Sequence, residues 1–227
     1  MINKIFDALV ARSDEEKKIV LPRFFKTGKG QYSEGDKFLG IIVPNIREVA
    51  KEYKDVSFDI LQKLICSPWH EMRMCALLIL VINSKKNVTK ETFDFYLSQT
   101  KHINNWDLVD LSAPQIVGQY LIDKDRDILY KLTESDLLWD NRIAIVSTLT
   151  FIRNNDLDDT YNLSLKMMNH RHDLMHKSIG WMLREAGKRD EKRLYEFVNK
   201  HKSIMPRTML RYSIEKFNTD IRKELMK

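Results

Sequence analysis

Residues 105–110 read Asn105-Trp106-Asp107-Leu108-Val109-Asp110 and gather an indole and two carboxylates into one short stretch. Trp106 and Asp110 are four apart, so on a helix they share one face. An aromatic plate beside an acid suits something flat or cationic. The functional reading is a platform for a sugar or base with an acid beside it, since an indole face attracts a cation. The packing alternative for the same residues places Trp106 between helices and pairs Asp110 with a neighbouring Arg.

Three other stretches carry candidate chemistry. In Ser178-Ile179-Gly180-Trp181-Met182-Leu183-Arg184-Glu185, Gly180 lies inside a helical pattern. A helix-interior Gly costs ~1 kcal/mol against Ala, so its place beside Trp181 implies close approach of another backbone or a ligand. Arg142 follows Trp139-Asp140-Asn141 and precedes an apolar run. It suits either a salt bridge between helices or a phosphate clamp. Arg207 and Arg211 are four apart behind Pro206. Proline favours a helix start, whose free N–H groups favour a phosphate; a solvated basic face fits the same residues.

The histidines form no set with a nucleophile. His172 and His176 are four apart, but Asp173 and Leu174 stand between them where a zinc-protease helix would carry Glu after the first His. Four ligands at usable spacing for a structural zinc are missing, so no zinc site is expected.

The elements that must position these residues all read as helix. Apolar spacing predicts helices over 2–11, 14–26, 44–53, 57–66, 69–83, 89–99, 105–122, 125–133, 138–153, 157–169, 173–187, 190–201, 205–216 and 219–226. Pro44 and Pro68 sit at helix starts, and Ser57, Thr89 and Asp156 stand where N-caps belong. The irregular stretch 27–40 holds four of the seven glycines but matches neither phosphate-cradling loop pattern. It is expected to be an ordered loop between helical blocks.

Trp69, Trp106 and Trp139 open three of the longer helices at spacings of 37 and 33, and Asp173 opens a fourth 34 residues on. Such periods mark an α-solenoid of HEAT or armadillo type. The expected fold is therefore all-α, a HEAT-like superhelix of antiparallel helix pairs with a concave basic face, forming a single domain over 1–227. Aligned on the helix interiors, one column reads Arg73, Asp110, Arg142, Lys177, three cations around one acid.

Composition sets the remaining bounds. The chain has 227 residues, 43% hydrophobic and 31% charged, which fits a well-cored protein rather than a disordered one. The longest apolar run, Ala76 to Ile82, is seven residues, far short of the ~20 that span a bilayer. Cys66 and Cys75 lie in apolar helical patterns and, without a signal-peptide pattern, read as reduced core thiols of a cytoplasmic protein. The net charge of +6 is uneven: residues 1–172 balance, and the excess lies in 173–227, with 14 Lys/Arg against 8 Asp/Glu. An anionic partner docking there, nucleic acid foremost, explains this polarity; so does a solvated basic surface.

Taken together, these residues resemble the AlkD-like family of DNA alkylation repair proteins, which are HEAT-like repeat DNA glycosylases. The match is carried by Phe38-Leu39-Gly40-Ile41-Ile42-Val43-Pro44 with Arg47, by Trp106 to Asp110, by Arg142-Ile143-Ala144-Ile145, by Gly180 to Glu185, and by Met205 to Tyr212. It spans residues 20–217. The resemblance implies excision of N3- or N7-alkylated, positively charged purines from duplex DNA, without drawing the base into a protein pocket. It assigns Trp106, Asp110 and Trp181 to catalysis and Arg142 to the DNA backbone; Arg47, Lys177, Arg184, Arg207 and Arg211 are expected as further DNA-binding cations. No cofactor is required, and a monomer is expected because one solenoid offers a complete groove. The segment from Gly28 to Gly40 is longer than the family's corresponding connection. Relatives lacking the catalytic set bind DNA without excision, so a non-catalytic repeat protein for damaged or branched DNA is the alternative reading.

Overall fold

The computed structural model describes all residues, 1–227. It contains fourteen α-helices and no strand; the one extended pairing is an isolated bridge between Lys37 and Trp69. The chain forms two compact units, Met1–Ile116 and Val117–Lys227. No helix is long and apolar enough to cross a membrane.

The first unit holds α1 (Ile2–Val10), α2 (Glu15–Phe24), α3 (Val43–Glu52), α4 (Phe58–Ile65), α5 (His70–Asn83), α6 (Lys90–Ser98) and α7 (Trp106–Ala113). Its axis is α5, the helix of the long apolar run, buried from His70 through Leu80. A helix apolar on every side needs neighbours on every side, and α1, α3, α4 and α7 supply them. Each fully buried Leu, Ile or Met there contributes about 1.5–3 kcal/mol of transfer free energy. In contrast, α2 buries none of its residues and carries Pro22 in its interior.

The second unit holds α8 (Asp127–Leu132), α9 (Leu138–Arg153), α10 (Asp158–Lys166), α11 (Asp173–Gly187), α12 (Glu191–His201), α13 (Arg207–Ser213) and α14 (Thr219–Leu225). Here α9 is the buried axis, covered from Asn141 to Ile152. Two of its buried hydroxyls are satisfied within the helix: Ser147 donates to the Ile143 carbonyl and Thr148 to that of Ile145. Helix α11 packs on α9, α10, α12 and most closely on α13, so each unit stacks short and long helices in the solenoid manner. The helices that open at 70, 106, 138 and 173 reproduce the repeat spacing.

Gly180 explains the closeness of α11 and α13. A Cβ there would lie 2.7 Å from the Met209 carbonyl oxygen and 2.6 Å from the Tyr212 Cβ. The backbone oxygen cannot step aside. Gly180→Ala should therefore destabilise the protein by ~1–2 kcal/mol, the overpacking cost less the helix propensity gained. Urea unfolding of the variant checks this; a gain in stability would refute the packing account.

Several sequence expectations need correction. The predicted helix 105–122 is interrupted by a π turn at Pro114–Gly118, because Pro114 has no N–H for the carbonyl four residues back and its ring clashes there in α geometry. Asp156 does not cap α10: Leu157 holds that position, and the Asp156 carboxylate instead accepts from Arg126 at 2.7 Å. Arg73 does not face a groove. It is 5% exposed and ion-paired to Asp36 at 2.6 Å. Cys75 is a core thiol, pushed up to about 12 by burial, but Cys66 caps the end of α4 and is exposed.

Candidate nucleic-acid site

Trp106 and Asp110 stand on successive turns of α7, the indole opening the helix. Both are half-buried. The indole is set among aromatics: Phe25 lies 5.5 Å away between ring centroids at a 30° tilt, and Phe24 meets it edge-on at 6.0 Å. Phe24 itself is 57% exposed, so Trp106 has an aromatic neighbour that reaches solvent. The helix turns into its π segment one turn after Asp110, and such bulges recur at functional sites.

The start of α7 is tied down by the irregular stretch before α3. Asn105, the N-cap, turns its side-chain oxygen to the Trp106 N–H at 2.8 Å and donates its amide to the Ser33 hydroxyl at 2.7 Å. Asn104 donates to Asp36 at 2.9 Å, and the other Asp36 oxygen holds Arg73. The same stretch is fixed from α5. Glu71, 1% exposed, accepts from the backbone N–H groups of Leu39, Gly40 and Ile41 at 2.9, 2.9 and 3.2 Å. Gly40 adopts φ +80°, and a Cβ there would strike the Asp14 carbonyl at 2.3 Å. Thus the glycine-containing segment is an ordered brace that sets the entry angle of α7 and the start of α2.

His70 completes the brace. Its Nε2 lies 2.9 Å from an Asp107 oxygen, and its ring stacks on Phe38 with centroids 4.7 Å apart. Burial pulls the imidazolium down, but the Asp107 carboxylate, with Asp36 behind it, outweighs burial and holds the ring at about 9. The Asp107 carboxylate is thus engaged in the brace, through the His70 ring.

This imidazolium makes stability depend on pH. The folded value lies above the ordinary 6.5, so its contribution is complete below pH 6.5 and is lost as pH rises through about 9. A rise of that size corresponds to roughly 3 kcal/mol. Urea midpoints should fall between pH 6.5 and 9 in the native protein and much less in His70→Phe. Equal slopes would exclude His70 as the source.

The second unit presents the remaining candidates. Arg142 is 5% exposed and donates from Nη1 to the Leu174 carbonyl in the first turn of α11 at 2.8 Å. Its neighbour Asn141 donates to the carbonyls of Leu132 and Ser135 and takes the His170 Nε2 at 3.0 Å. His172 Nδ1 accepts from the Leu174 N–H, capping α11. These histidines are therefore occupied with backbone and amide groups. Lys177 pairs with Asp173 at 2.7 Å, and Arg184 is held by Glu215 and Glu185. Trp181 borders a cleft of about 400 Å³ with Arg153, Lys188 and Arg189 on its walls. Arg211 and Arg207 project from α13, Arg207 bonding the Met226 carbonyl at 2.9 Å. In the first unit, Arg47 is exposed on α3.

With an aromatic–acid pair on a braced helix and a basic second unit of stacked helices, the family comparison is decisive. The DNA alkylation repair enzyme family model matches residues 5–217. The chain belongs to that family. A role in alkylation repair follows for this family member, and DNA follows as what it works on. A solved structure described as a predicted DNA alkylation repair enzyme from Enterococcus faecalis has the same fold, with a TM-score of 0.73 at 15% identity, covering 92% of this chain and 98% of that one. No curated protein sequence matches the chain.

Sequence reasoning missed the groups that position α7: Ser33, Asp36, His70, Glu71 and Phe24. The one local signal was His70-Glu71 directly behind Pro68-Trp69, an ionisable pair at the mouth of an otherwise apolar helix.

Proposed function

We propose that this family member is a DNA glycosylase that hydrolyses the N-glycosidic bond of cationic N3- or N7-alkylated purines in duplex DNA. The observation that carries the reading is the placement of Trp106 and Asp110 on one half-exposed face of α7, in a chain whose family repairs alkylated DNA.

The chemistry explains the residue types. An alkylated purine already carries positive charge, so its departure needs no general acid. When the bond from the sugar C1′ to the purine breaks, the electron pair goes to the base and neutralises it. The sugar is left with oxocarbenium character. Asp110 supplies the opposite charge at that moment, and it accepts the proton lost by the water that adds to C1′. The Trp106 face, with Phe24 at its edge, holds the deoxyribose and attracts the developing cation. Trp181 is assigned the same task, on the resemblance. The exposed Arg47 and Arg211 are assigned to phosphates, which guanidinium forks match well; Arg142, buried against the Leu174 carbonyl, is assigned to the DNA backbone on the resemblance alone. Lys177 and Arg184 are assigned there too, since exposed ion pairs such as Lys177 with Asp173 are worth little and exchange readily for a phosphate.

The test is release of free 7-methylguanine and 3-methyladenine from methylated duplex DNA, followed by chromatography. Release by the native protein and its loss in Asp110→Asn support the reading. Duplex binding without any release would leave a DNA-binding repeat protein instead.

A further inference from the structure

Helices α13 and α14 enclose a cleft of about 760 Å³ whose walls carry Arg207 and Arg211 from α13 and Arg222 and Lys223 from α14. Its one carboxylate, Glu215, is already engaged by Arg184 and Lys216. Six other cations of residues 173–227 are placed differently. Lys177, Arg184, Lys188, Lys192, Arg193 and Lys216 are each held by an acid. The cleft thus gathers four of the 14 Lys/Arg of residues 173–227 around a single carboxylate that other cations already engage.

The cleft is built rather than incidental. The Arg207 guanidinium bonds the Met226 carbonyl, and Tyr195 bonds the Glu224 carboxylate at 2.6 Å. These two contacts fix α14 against α13 and α12. Asn218 caps α14 through the N–H groups of Asp220 and Ile221. Tyr212, Ile214 and Met226 line the apolar part of the cleft, which lowers the local dielectric and strengthens any charge contact made above it. Arg207 and Arg211 lie one turn apart, about 5–6 Å between Cβ atoms, and face a second pair across the gap. One free phosphate would engage only part of this set; a run of phosphodiesters engages all of it.

We infer that this cleft is a backbone grip for duplex DNA, with Arg222 and Lys223 adding contacts from a helix beyond the family-matching residues 5–217. The inference rests on the repair reading only for the identity of the polyanion. It predicts a share of affinity that is independent of the lesion, because phosphate contacts position a protein without reading bases.

The test is the double variant Arg222→Gln/Lys223→Gln, which keeps helix propensity and leaves both contacts that fix α14 in place. Fluorescence anisotropy on a short undamaged duplex is followed across a salt series, with circular dichroism as the folding check. Neutralising two phosphate contacts should flatten the slope of log K against log salt by about 2 and weaken binding about tenfold near 0.1 M salt. An unchanged slope in a folded variant overturns the inference. So does loss of binding to phosphatidylserine vesicles with duplex affinity intact, which would make the cleft a membrane contact. Repeating the titration in Asp110→Asn separates the two readings. Duplex binding that depends on Arg222 and Lys223 without base release in the native protein upholds the grip and removes the glycosylase. Base release with an unchanged slope does the reverse.

Discussion

Replacing Asp110 with Asn is expected to slow release of 7-methylguanine by about 10²–10³-fold while duplex affinity is kept. The amide has the carboxylate's shape but no charge, so what disappears is the interaction with the cationic sugar of the transition state. Removing one preorganised electrostatic partner at a reacting centre costs about 2.7–4 kcal/mol of barrier, which is that range of rate. Binding in the ground state should hold or tighten, because a negative charge has been removed from a surface that meets phosphates. The loss should therefore fall on the rate at saturating DNA rather than on half-saturation. Single-turnover kinetics on methylated duplex give the rate, and anisotropy with the same duplex gives the affinity. Full activity in Asp110→Asn would remove the carboxylate from the chemistry; proportionate loss of both quantities would make it a structural residue of α7. Trp106→Leu should act in the same direction with a smaller effect, since the face of an indole stabilises a desolvated cation by about 2 kcal/mol.

The expected rate effect depends on a pair that the sequence displays openly, because a spacing of four on a helix is local information. The same locality explains why α9 and α11 begin and end where apolar periodicity places them. It also explains the failures. Pro114 sits inside a convincing apolar pattern, and only its missing N–H reveals the π turn. Asp156 has a cap's chemistry, but it stands one residue before the cap of α10, and a longer-range partner, Arg126, takes its carboxylate. Arg73 shares a helical phase with Arg142, yet the deciding fact is an acid 37 residues earlier, Asp36. The brace around α7 is entirely of this kind. Ser33, Asp36 and the amides of 39–41 come from a glycine-containing stretch with no periodicity, and the groups that anchor them lie on α5 and before α7. Periodicity reports which face of a helix is buried. It does not report which buried charge meets which loop, and here that is what orients the aromatic–acid pair.

The brace has one residue on which most of it depends, and Glu71→Gln should cost about 2–4 kcal/mol of unfolding free energy. Oε2 accepts from the Leu39 N–H, and Oε1 accepts from those of Gly40 and Ile41. All three partners are donors, so the site requires an acceptor at both oxygens. Glutamine keeps one oxygen, which can retain Gly40 and Ile41, but it turns an NH₂ toward the Leu39 N–H. One charge-assisted bond is lost, a buried donor is left unsatisfied, and the two retained bonds weaken with the charge. Against a typical total of about 5–15 kcal/mol this is a large fraction for an isosteric change. Glu71→Ala leaves three buried amides without an acceptor and should cost more, on the order of 5 kcal/mol. The local signature is as telling as the midpoint. The Gly40 carbonyl accepts from Asp14 at the cap of α2, so hydrogen exchange should quicken first at residues 39–41 and at the start of α2, before α5 itself opens. Base release should fall in parallel, because the segment that frees itself also holds Asn104 and Asn105 in front of Trp106. Unchanged protection of the Leu39, Gly40 and Ile41 amides in Glu71→Gln would show that α5 does not hold this segment, and the account of how α7 is oriented would have to be abandoned.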